Sequence, residues 1–459
     1  MLRLFFTVIV MGIAASPFAV ADRRPNFLFL IADDWSYPHA GVLGDASVKT
    51  PTFDRIANAG VLFEHAFVCA PSCSPSRSAI LSGQHHWRLD GAANLGGSLQ
   101  ADVPLITDLL LENGYLLGKF GKGVWPSQHV YRATKPLPDG HERFSKFLDR
   151  RAIGQPFFFW FGGEDPHRPY DEDIGEREGI DPAGVQLPPG LPDHPIVRKD
   201  VSNYYGEVQR FDRECKEMLR QLEIRGELNN TVVIMTSDNG MPFPRCKATL
   251  YDMGTRVPLA ISWPDVFPRN RRVVDFVGLH DLAPMILDLA GVGVPGAMSA
   301  KSIVDILCSQ ASDQVDPKRD HVLTGMERHV ECNPQRALRT SRYLLIKNFY
   351  QGEWPVAPNS EYNYNIDPSP TKTYMLANRD LPEVKGLFQR AFEARPMIEL
   401  YDLSNDPQQL NNVAGVSAYA SVRNKMENRL MTELKRMDDP RKNLPGEIFE
   451  RFRKRESRR

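Results

Sequence analysis

The stretch Val68-Cys-Ala-Pro-Ser-Cys-Ser-Pro-Ser-Arg-Ser-Ala-Ile-Leu-Ser-Gly83 sets two cysteines four apart among serines and prolines, with Arg77 just beyond. Pro75 is suited to the first turn of a helix, because its fixed φ and missing N–H cost nothing there. That places Cys73 at a helix N-terminus, where free N–H groups favour an anion. A Cys69–Cys73 disulfide would close a very tight loop and would leave Pro75 and Arg77 without a role. A thiol nucleophile needs a paired histidine, and the nearby Glu64-His65 reads as part of an ordinary helix-to-loop passage. The spacing alone leaves crosslink, metal ligand and nucleophile open. A second set is acidic. Asp33, Asp34, Asp238 and Asn239 offer only oxygen, which suits a hard cation, Ca²⁺ or Mg²⁺. Without a cation, clustered carboxylates would raise one another's pKa. Zinc fits less well, since no His/Cys cluster stands at ligand spacing.

Positioning these groups is the task of three apolar runs. Asn26 to Ile31, Pro156 to Phe161 and Thr231 to Thr236 are short and nearly continuous, as strands buried on both faces of a parallel sheet are. Each leads straight into polar residues: Ala32-Asp33-Asp34, Gly162-Gly163-Glu164-Asp165-Pro166-His167, and Ser237-Asp238-Asn239-Gly240. Ligands of open α/β sheets bind beyond the carboxyl ends of the strands. One Asp after a strand is usually a turn or cap; three strand ends delivering acids, an amide and a histidine define a site. Pro258 to Trp263 reads as a further strand. Pro51 to Ala59 (closed by Gly60), Leu105 to Asn113, Ser202 to Leu222 and Leu279 to Ala290 read as helices. The alternation predicts an α/β domain on a mostly parallel sheet. Cys215, on the apolar face of the 202–222 helix, reads as a buried small hydrophobe.

The chain opens Met1-Leu-Arg3, runs apolar from Leu4 to about Ala15, and reaches Ala19-Val-Ala21 before Asp22. That is the layout of a secretory signal peptide, and the run is shorter than the roughly 20 residues a spanning helix needs. Residues 1–21 are expected to be removed and the protein to be secreted or periplasmic, with no stable membrane insertion. A net charge of −1 provides no global field for nucleic acid. Six cysteines are too few for a disulfide scaffold in 459 residues. Residues 22–330 are expected to form the catalytic α/β domain. Residues 331–459 are expected to form a smaller α+β subdomain, with strands at Tyr343 to Phe349 and Ile398 to Asp402 and a last helix from about Tyr419 to Met437. The basic end, Arg451 to Arg459, reads as a solvated tail.

Cys73-Ser-Pro-Ser-Arg77 followed by Leu81-Ser-Gly83 resembles the signature of the type I sulfatases, C-x-P-S-R and then L-T/S-G. The resemblance continues through Pro25-Asn-Phe27 with Asp33-Asp34, Gly114-Tyr115 with Gly121-Lys122, and Asp165-Pro-His167. It extends to Thr236-Ser-Asp-Asn-Gly240, Lys247 with Leu250-Tyr-Asp252 and Gly254-Thr-Arg-Val-Pro258, and Glu399-Leu-Tyr-Asp-Leu403. It implies the alkaline-phosphatase-like fold: a mostly parallel sheet flanked by helices, with a C-terminal subdomain carrying a small antiparallel sheet. It implies that a formylglycine-generating enzyme converts Cys73 to formylglycine, whose hydrate attacks sulfur with one hydroxyl and expels sulfate through the other. It also implies Ca²⁺, in preference to Mg²⁺, on Asp33, Asp34, Asp238, Asn239 and residue 73. Arg77, Lys122 and Lys247 are implied to neutralise sulfate, Asp238 to act as base, and His167 or Lys247 to protonate the leaving atom.

Two positions depart from the pattern. The family's G-K-W-H is Gly121-Lys-Gly-Val124 here, so a histidine that helps hold the hydrate and sulfate is missing; His129 is a candidate to replace it. Glu164 stands where a histidine is frequent. Ser237-Asp-Asn-Gly-Met-Pro-Phe-Pro244 with Asp165-Pro-His-Arg168 is most similar to the heparan N-sulfatase (sulfamidase) branch. The expected substrate is therefore a sulfated glycan or small sulfate ester, cleaved at an N-sulfate or, alternatively, at an O-sulfate. A catalytically silent glycan binder is a further reading; a phosphohydrolase would call for a Ser or Thr nucleophile and zinc. Specificity is expected from Tyr170 to Val197 and the 350–375 region.

Overall fold

The computed structural model describes residues 24–126, 135–138, 142–349 and 365–442. The expected signal peptide, His129, the basic tail and most of the 350–375 region lie outside the described residues. Among the described residues seven strands form the main sheet: β1 (Asn26–Ala32), β2 (Val61–Phe67), β3 (Leu116–Gly121), β4 (Phe157–Gly162), β5 (Thr231–Ser237), β6 (Leu259–Ser262) and β7 (Arg271–Gly278). Their order is β3-β4-β1-β5-β6-β2-β7. All neighbours are parallel except β6, which runs antiparallel between β5 and β2. The expected fold class is thus the observed one.

β1 shows why the sheet forms. Its seven residues are apolar apart from Asn26, and all are buried. Phe27, Phe29 and Ile31 enter the core on one face, and Leu28, Leu30 and Ala32 the core on the other, as a period of two requires. The first face is covered by helices α2 (Cys73–Ser82) and α4 (Leu282–Ala290), the second by α1 (Pro51–Ala59) and α3 (Pro195–Ile224). α3 is longer than its sequence pattern predicts. Pro195 occupies its first turn, and the ring of His194 accepts from the Ile196 N–H. Cys215 is fully buried within it.

Three strands of the main sheet, β2, β3 and β7, are not marked by continuous apolar runs. In β2 the partly buried pair Glu64-His65 interrupts the apolar pattern. Glu64 reaches Tyr37 and Arg272, while His65 bonds the Val274 carbonyl. The helix-to-loop reading of this pair is therefore replaced by a strand.

A second sheet contains β8 (His321–Arg328), β9 (Cys332–Thr340), β10 (Tyr343–Asn348) and β11 (Ile398–Asp402), antiparallel in the order β11-β10-β9-β8. The expected boundary at residue 330 falls inside this sheet, between β8 and β9, so the change of sheet comes before residue 321. On one face, Leu338, Leu345 and Leu400 pack against Met426, Leu430 and Leu434 of α5 (Ala420–Arg436). On the other, Ala337, Leu344 and Ile346 pack against Ala248, Leu250 and Tyr251, immediately after Lys247. The smaller sheet thus backs a loop of the site. Among the described residues no helix is long and apolar enough to cross a membrane.

Candidate active site

Four adjacent parallel strands, β3, β4, β1 and β5, end at one level. Ala32 of β1 pairs with Ser237 of β5, Ile31 with Gly162 of β4, and Gly162 with Gly121 of β3. Asp33-Asp34, Asp238-Asn239, the 163–167 segment and Lys122 therefore leave the sheet side by side. Backbone bonds fix the exits: Gly163 N donates to Ile31 O at 2.9 Å, Asp33 N to Asp165 O at 3.0 Å and Asp238 N to Ala32 O at 3.2 Å. Asp34 turns through φ +82°, a left-handed conformation that Asp tolerates better than most residues.

α2 brings the remaining group. It begins at Cys73, with Ser72 extended ahead of it and Pro75 in its first turn. Ser72 occupies the N-cap, yet its hydroxyl makes no cap bond. It bonds Nδ1 of His329 at 2.8 Å instead, and the first-turn N–H groups are left without that side-chain acceptor. Cys73 Sγ lies 3.5 Å from Asp33 Oδ1, and no disulfide joins Cys73 to Cys69. Burial, together with Asp33 alongside, pushes the Cys73 thiol far above its ordinary range. A thiolate nucleophile is therefore disfavoured at this position.

The acidic cluster is held by three cations. Lys122 Nζ meets Asp33 Oδ2, and Lys247 Nζ donates to Asp34 Oδ2 at 2.7 Å. Burial would raise the Asp33 carboxyl, but Lys122, His167, Arg77 and Lys247 outweigh it and hold the group well below its ordinary range. For Asp34, burial outweighs Lys247 and the carboxyl rises. Asp238 is pushed up to about 6 by burial against the pull of Arg77. Burial also opposes the Lys122 and Lys247 ammonium groups, which Asp33 and Asp34 nonetheless hold above their usual range.

Arg77 differs from the expectation of a donor aimed at sulfate. Its Nε donates to Asp238 Oδ2 at 2.6 Å, Nη1 to the carbonyls of Lys122 and Gly123 at 2.9 and 3.1 Å, and Nη2 to Ala32 O at 3.4 Å. It is a buried clamp joining α2 to the ends of β1, β3 and β5. Asp238 is similarly committed. Oδ2 accepts from Arg77, and Oδ1 accepts from the Asp34 N–H at 3.2 Å. The carboxylate beside residue 73 is Asp33.

The donor set fits a hard cation. Asp33, Asp34 and Asp238 each offer an oxygen within 4.8 Å of the others, and all three are buried. Asn239 Nδ2 donates to Asp34 Oδ1 at 2.6 Å, while its Oδ1 is buried without a partner among the described residues. A buried carbonyl oxygen left unpaired costs about 1–3 kcal/mol, and a cation would relieve it. Asp33 also belongs to a second group with Cys73 and His167, a convergence of O, S and N that sequence spacing does not show.

His167 stands at the open side, with its side chain 34% exposed and Nε2 4.0 Å from Asp34 Oδ2. Its Nδ1 lies 2.5 Å from the Arg168 carbonyl, which turns Nε2 toward the site. Arg168 itself forms a two-point pair with Asp200, at 2.8 and 2.9 Å, and anchors this segment on α3. A cavity of about 550 Å³ opens here, bordered by Asp33, Lys122, Trp125, Glu164, His167 and Arg168.

Two site residues were not found from sequence. Asp367 Oδ2 lies 3.5 Å from Lys247 Nζ, and His329 follows β8 to reach Ser72. Neither sits in a motif; His329 is brought in by the smaller sheet, and Asp367 by the packing of Ile366 in the main core and the bond of Thr371 to Asp200. Val124, at the position of the family's histidine, is 4% exposed and packs in the apolar core.

Comparison with known proteins gives the same answer from outside. The sulfatase family model matches residues 25–153 and 141–292, and the model for the C-terminal part of N-sulphoglucosamine sulphohydrolase matches residues 246–384. The chain belongs to the sulfatase family and is a hydrolase of that class. It is 28% identical to human N-sulphoglucosamine sulphohydrolase, over 93% of each chain. It is 26% identical to an ulvan-active sulfatase of Formosa agariphila, over 91% of this chain and 81% of that protein. The structure of BT4656 in complex with its substrate D-glucosamine-2-N,6-O-disulfate has the same fold. Its TM-score is 0.69 at 18% identity, covering 91% of this chain and 99% of that one.

Proposed function

We propose that this protein is an exported sulfatase that releases sulfate from a sulfated glycan through a formylglycine made from Cys73, with Ca²⁺ in the acidic cluster. The observation that carries the reading is the place of Cys73: at the start of a helix, with Sγ 3.5 Å from Asp33 Oδ1, beside a carboxylate–amide set that suits a cation. A site that used the thiol would lower its pKa. Conversion to an aldehyde hydrate by a formylglycine-generating enzyme supplies a hydroxyl nucleophile. Asp33, Asp34, Asp238 and Asn239 would hold Ca²⁺ (or Mg²⁺), which supplies a Lewis acid toward sulfate oxygens.

The chain's own residues do the rest. The Cys73 thiol donates to Asp33 Oδ1 at 3.5 Å, so Asp33 stands where it would accept from the hydrate and orient it. Lys122 and Lys247 stand on either side of the acidic pair and offset the charge of the sulfate. Prearranged cations in a dry site are commonly worth ~10²–10³ in rate. His167 Nε2, facing the open cavity, delivers a proton to the departing oxygen or nitrogen. Arg77 positions α2 and the strand ends through its bonds to Asp238 and three carbonyls.

An N-sulfated amino sugar is the favoured substrate, supported by the match over residues 246–384 and the likeness to the human sulphohydrolase. An O-sulfated polysaccharide is the second reading, supported by likeness to the ulvan-active relative. Sulfate release from N-sulfoglucosamine and from 6-O-sulfated glucosamine separates the two. Cys73→Ala should abolish release from both and from an aryl sulfate; a fully active Cys73→Ala protein contradicts the proposal.

A further inference from the structure

Trp125 and Glu164 border the same cavity as Asp33, Lys122 and His167. Trp125 is 64% exposed, although the other tryptophans among the described residues that border the core, such as Trp35, Trp87 and Trp160, are fully buried. Leaving a large aromatic face in water forgoes the stabilisation its burial would bring. The ring also stands close to the chemistry: its centroid is 6.0 Å from Lys122 Nζ, and that ammonium touches Asp33.

Glu164 is the second oddity. The cations around the cavity are engaged: Lys122 with Asp33, Arg168 with Asp200, Arg210 with Asp165, Asp171 and Glu207, and Lys119 with the Gly121 carbonyl. Glu164 is exposed and forms no ion pair among the described residues. An unneutralised carboxylate at the mouth of an anion site repels a second anion and welcomes hydroxyl or ammonium donors.

An exposed aromatic face and an unpaired carboxylate on the border of one cavity match one chemistry. A pyranose ring has an apolar face of axial C–H bonds and an equator of hydroxyl or amino donors. We propose that Trp125 and Glu164 form the subsite for the sugar ring that bears the scissile sulfate. Trp125 stacks under the ring face, and Glu164 accepts from its hydroxyl or ammonium donors. The pair selects a ring without a second sulfate facing Glu164. This rests on reading the site as that of a saccharide sulfatase.

The test is steady-state kinetics on the full-length, aldehyde-bearing protein. The probes are N-sulfoglucosamine and its 6-O-sulfated form, with inorganic sulfate as competitive inhibitor. Trp125→Ala should raise KM for N-sulfoglucosamine about tenfold, as the loss of one aromatic contact worth about 1.4 kcal/mol would. kcat and the inhibition by inorganic sulfate should stay within a factor of about two, and Trp125→Phe should recover most of the loss. Glu164→Gln should narrow the preference for the singly sulfated sugar about tenfold. Equal weakening toward sugar and inorganic sulfate, or no change in KM, overturns the role of Trp125. An unchanged preference in Glu164→Gln overturns that of Glu164. A wild-type protein that turns over an aryl sulfate but neither sugar overturns the saccharide reading itself, and with it this subsite.

Discussion

Arg77 and Asp238 form an ion pair with no exposure on either side, Nε 2.6 Å from Oδ2. The pair ties the helix that carries residue 73 to the strand end that carries half of the acidic cluster. Removing one member leaves an uncompensated buried charge, which commonly costs about 3–5 kcal/mol. Arg77→Met should therefore lower unfolding free energy by about that amount in urea melts of the cation-free protein. Arg77→Lys should recover little, because one ammonium cannot reach Asp238 and three carbonyls together. A variant as stable as wild type would contradict the clamp.

Cation removal should act on stability as well as on rate. Chelation should lower Tm, and titrating Ca²⁺ back to 100 times its Kd should restore about 2.7 kcal/mol. Asp34→Asn and Asn239→Ala should shift the Ca²⁺ midpoint upward. Mg²⁺ should restore less, because it needs closer, more regular octahedral contacts. Thermal melts across a metal series check this; a Tm indifferent to chelator and metal contradicts it.

His329 bonds the Ser72 hydroxyl at 2.8 Å, immediately ahead of residue 73. His329→Ala should break the hydrogen bond that holds the Ser72 hydroxyl and loosen the residue immediately ahead of residue 73. One hydrogen bond is worth about 1 kcal/mol net, so Tm should change little while kcat falls about tenfold or more. Ser72→Ala should reproduce the fall, and the double variant should lose no more than either single. That non-additivity is the readout; full additivity contradicts the coupling.

How far the residues announce this site depends on where they sit. Asp33, Asp34, Asp238, Asn239 and His167 follow directly on buried strands, so apolar run and polar exit are read together. Lys122 and Lys247 are legible through the family resemblance alone. The engagement of Arg77 with Asp238 is not legible, because it depends on how α2 lies across the ends of β1, β3 and β5. His329 and Asp367 are not legible either. His329 enters because Ala337, Leu344 and Ile346 press the smaller sheet against the 248–251 segment, and Asp367 because Ile366 packs in the main core and Thr371 bonds Asp200 of α3. β2 is hidden because Glu64 and His65 meet partners on neighbouring segments instead of a continuous core.

Asp212 gives a pH-dependent element outside the site. It accepts from the Thr52 and Phe53 N–H groups at the start of α1, at 2.9 to 3.1 Å. Burial nevertheless pushes it up to about 6, against those donors. The folded carboxyl thus binds its proton more tightly than the unfolded one, at about 3.9. Its contribution is greatest below pH ~4 and is lost as pH rises through about 6. Asp212→Asn should flatten that part of the stability–pH curve. Urea melts from pH 4 to 7 check this; an unchanged slope contradicts it.

The most direct measurement is the mass of the proteolytic peptide containing residue 73, taken from protein made in its native host and shown to release sulfate. The account predicts that the mass corresponds to an aldehyde in place of the thiol, in a fraction that tracks specific activity across preparations. A fully active preparation in which every copy of that peptide retains the intact cysteine thiol would contradict it.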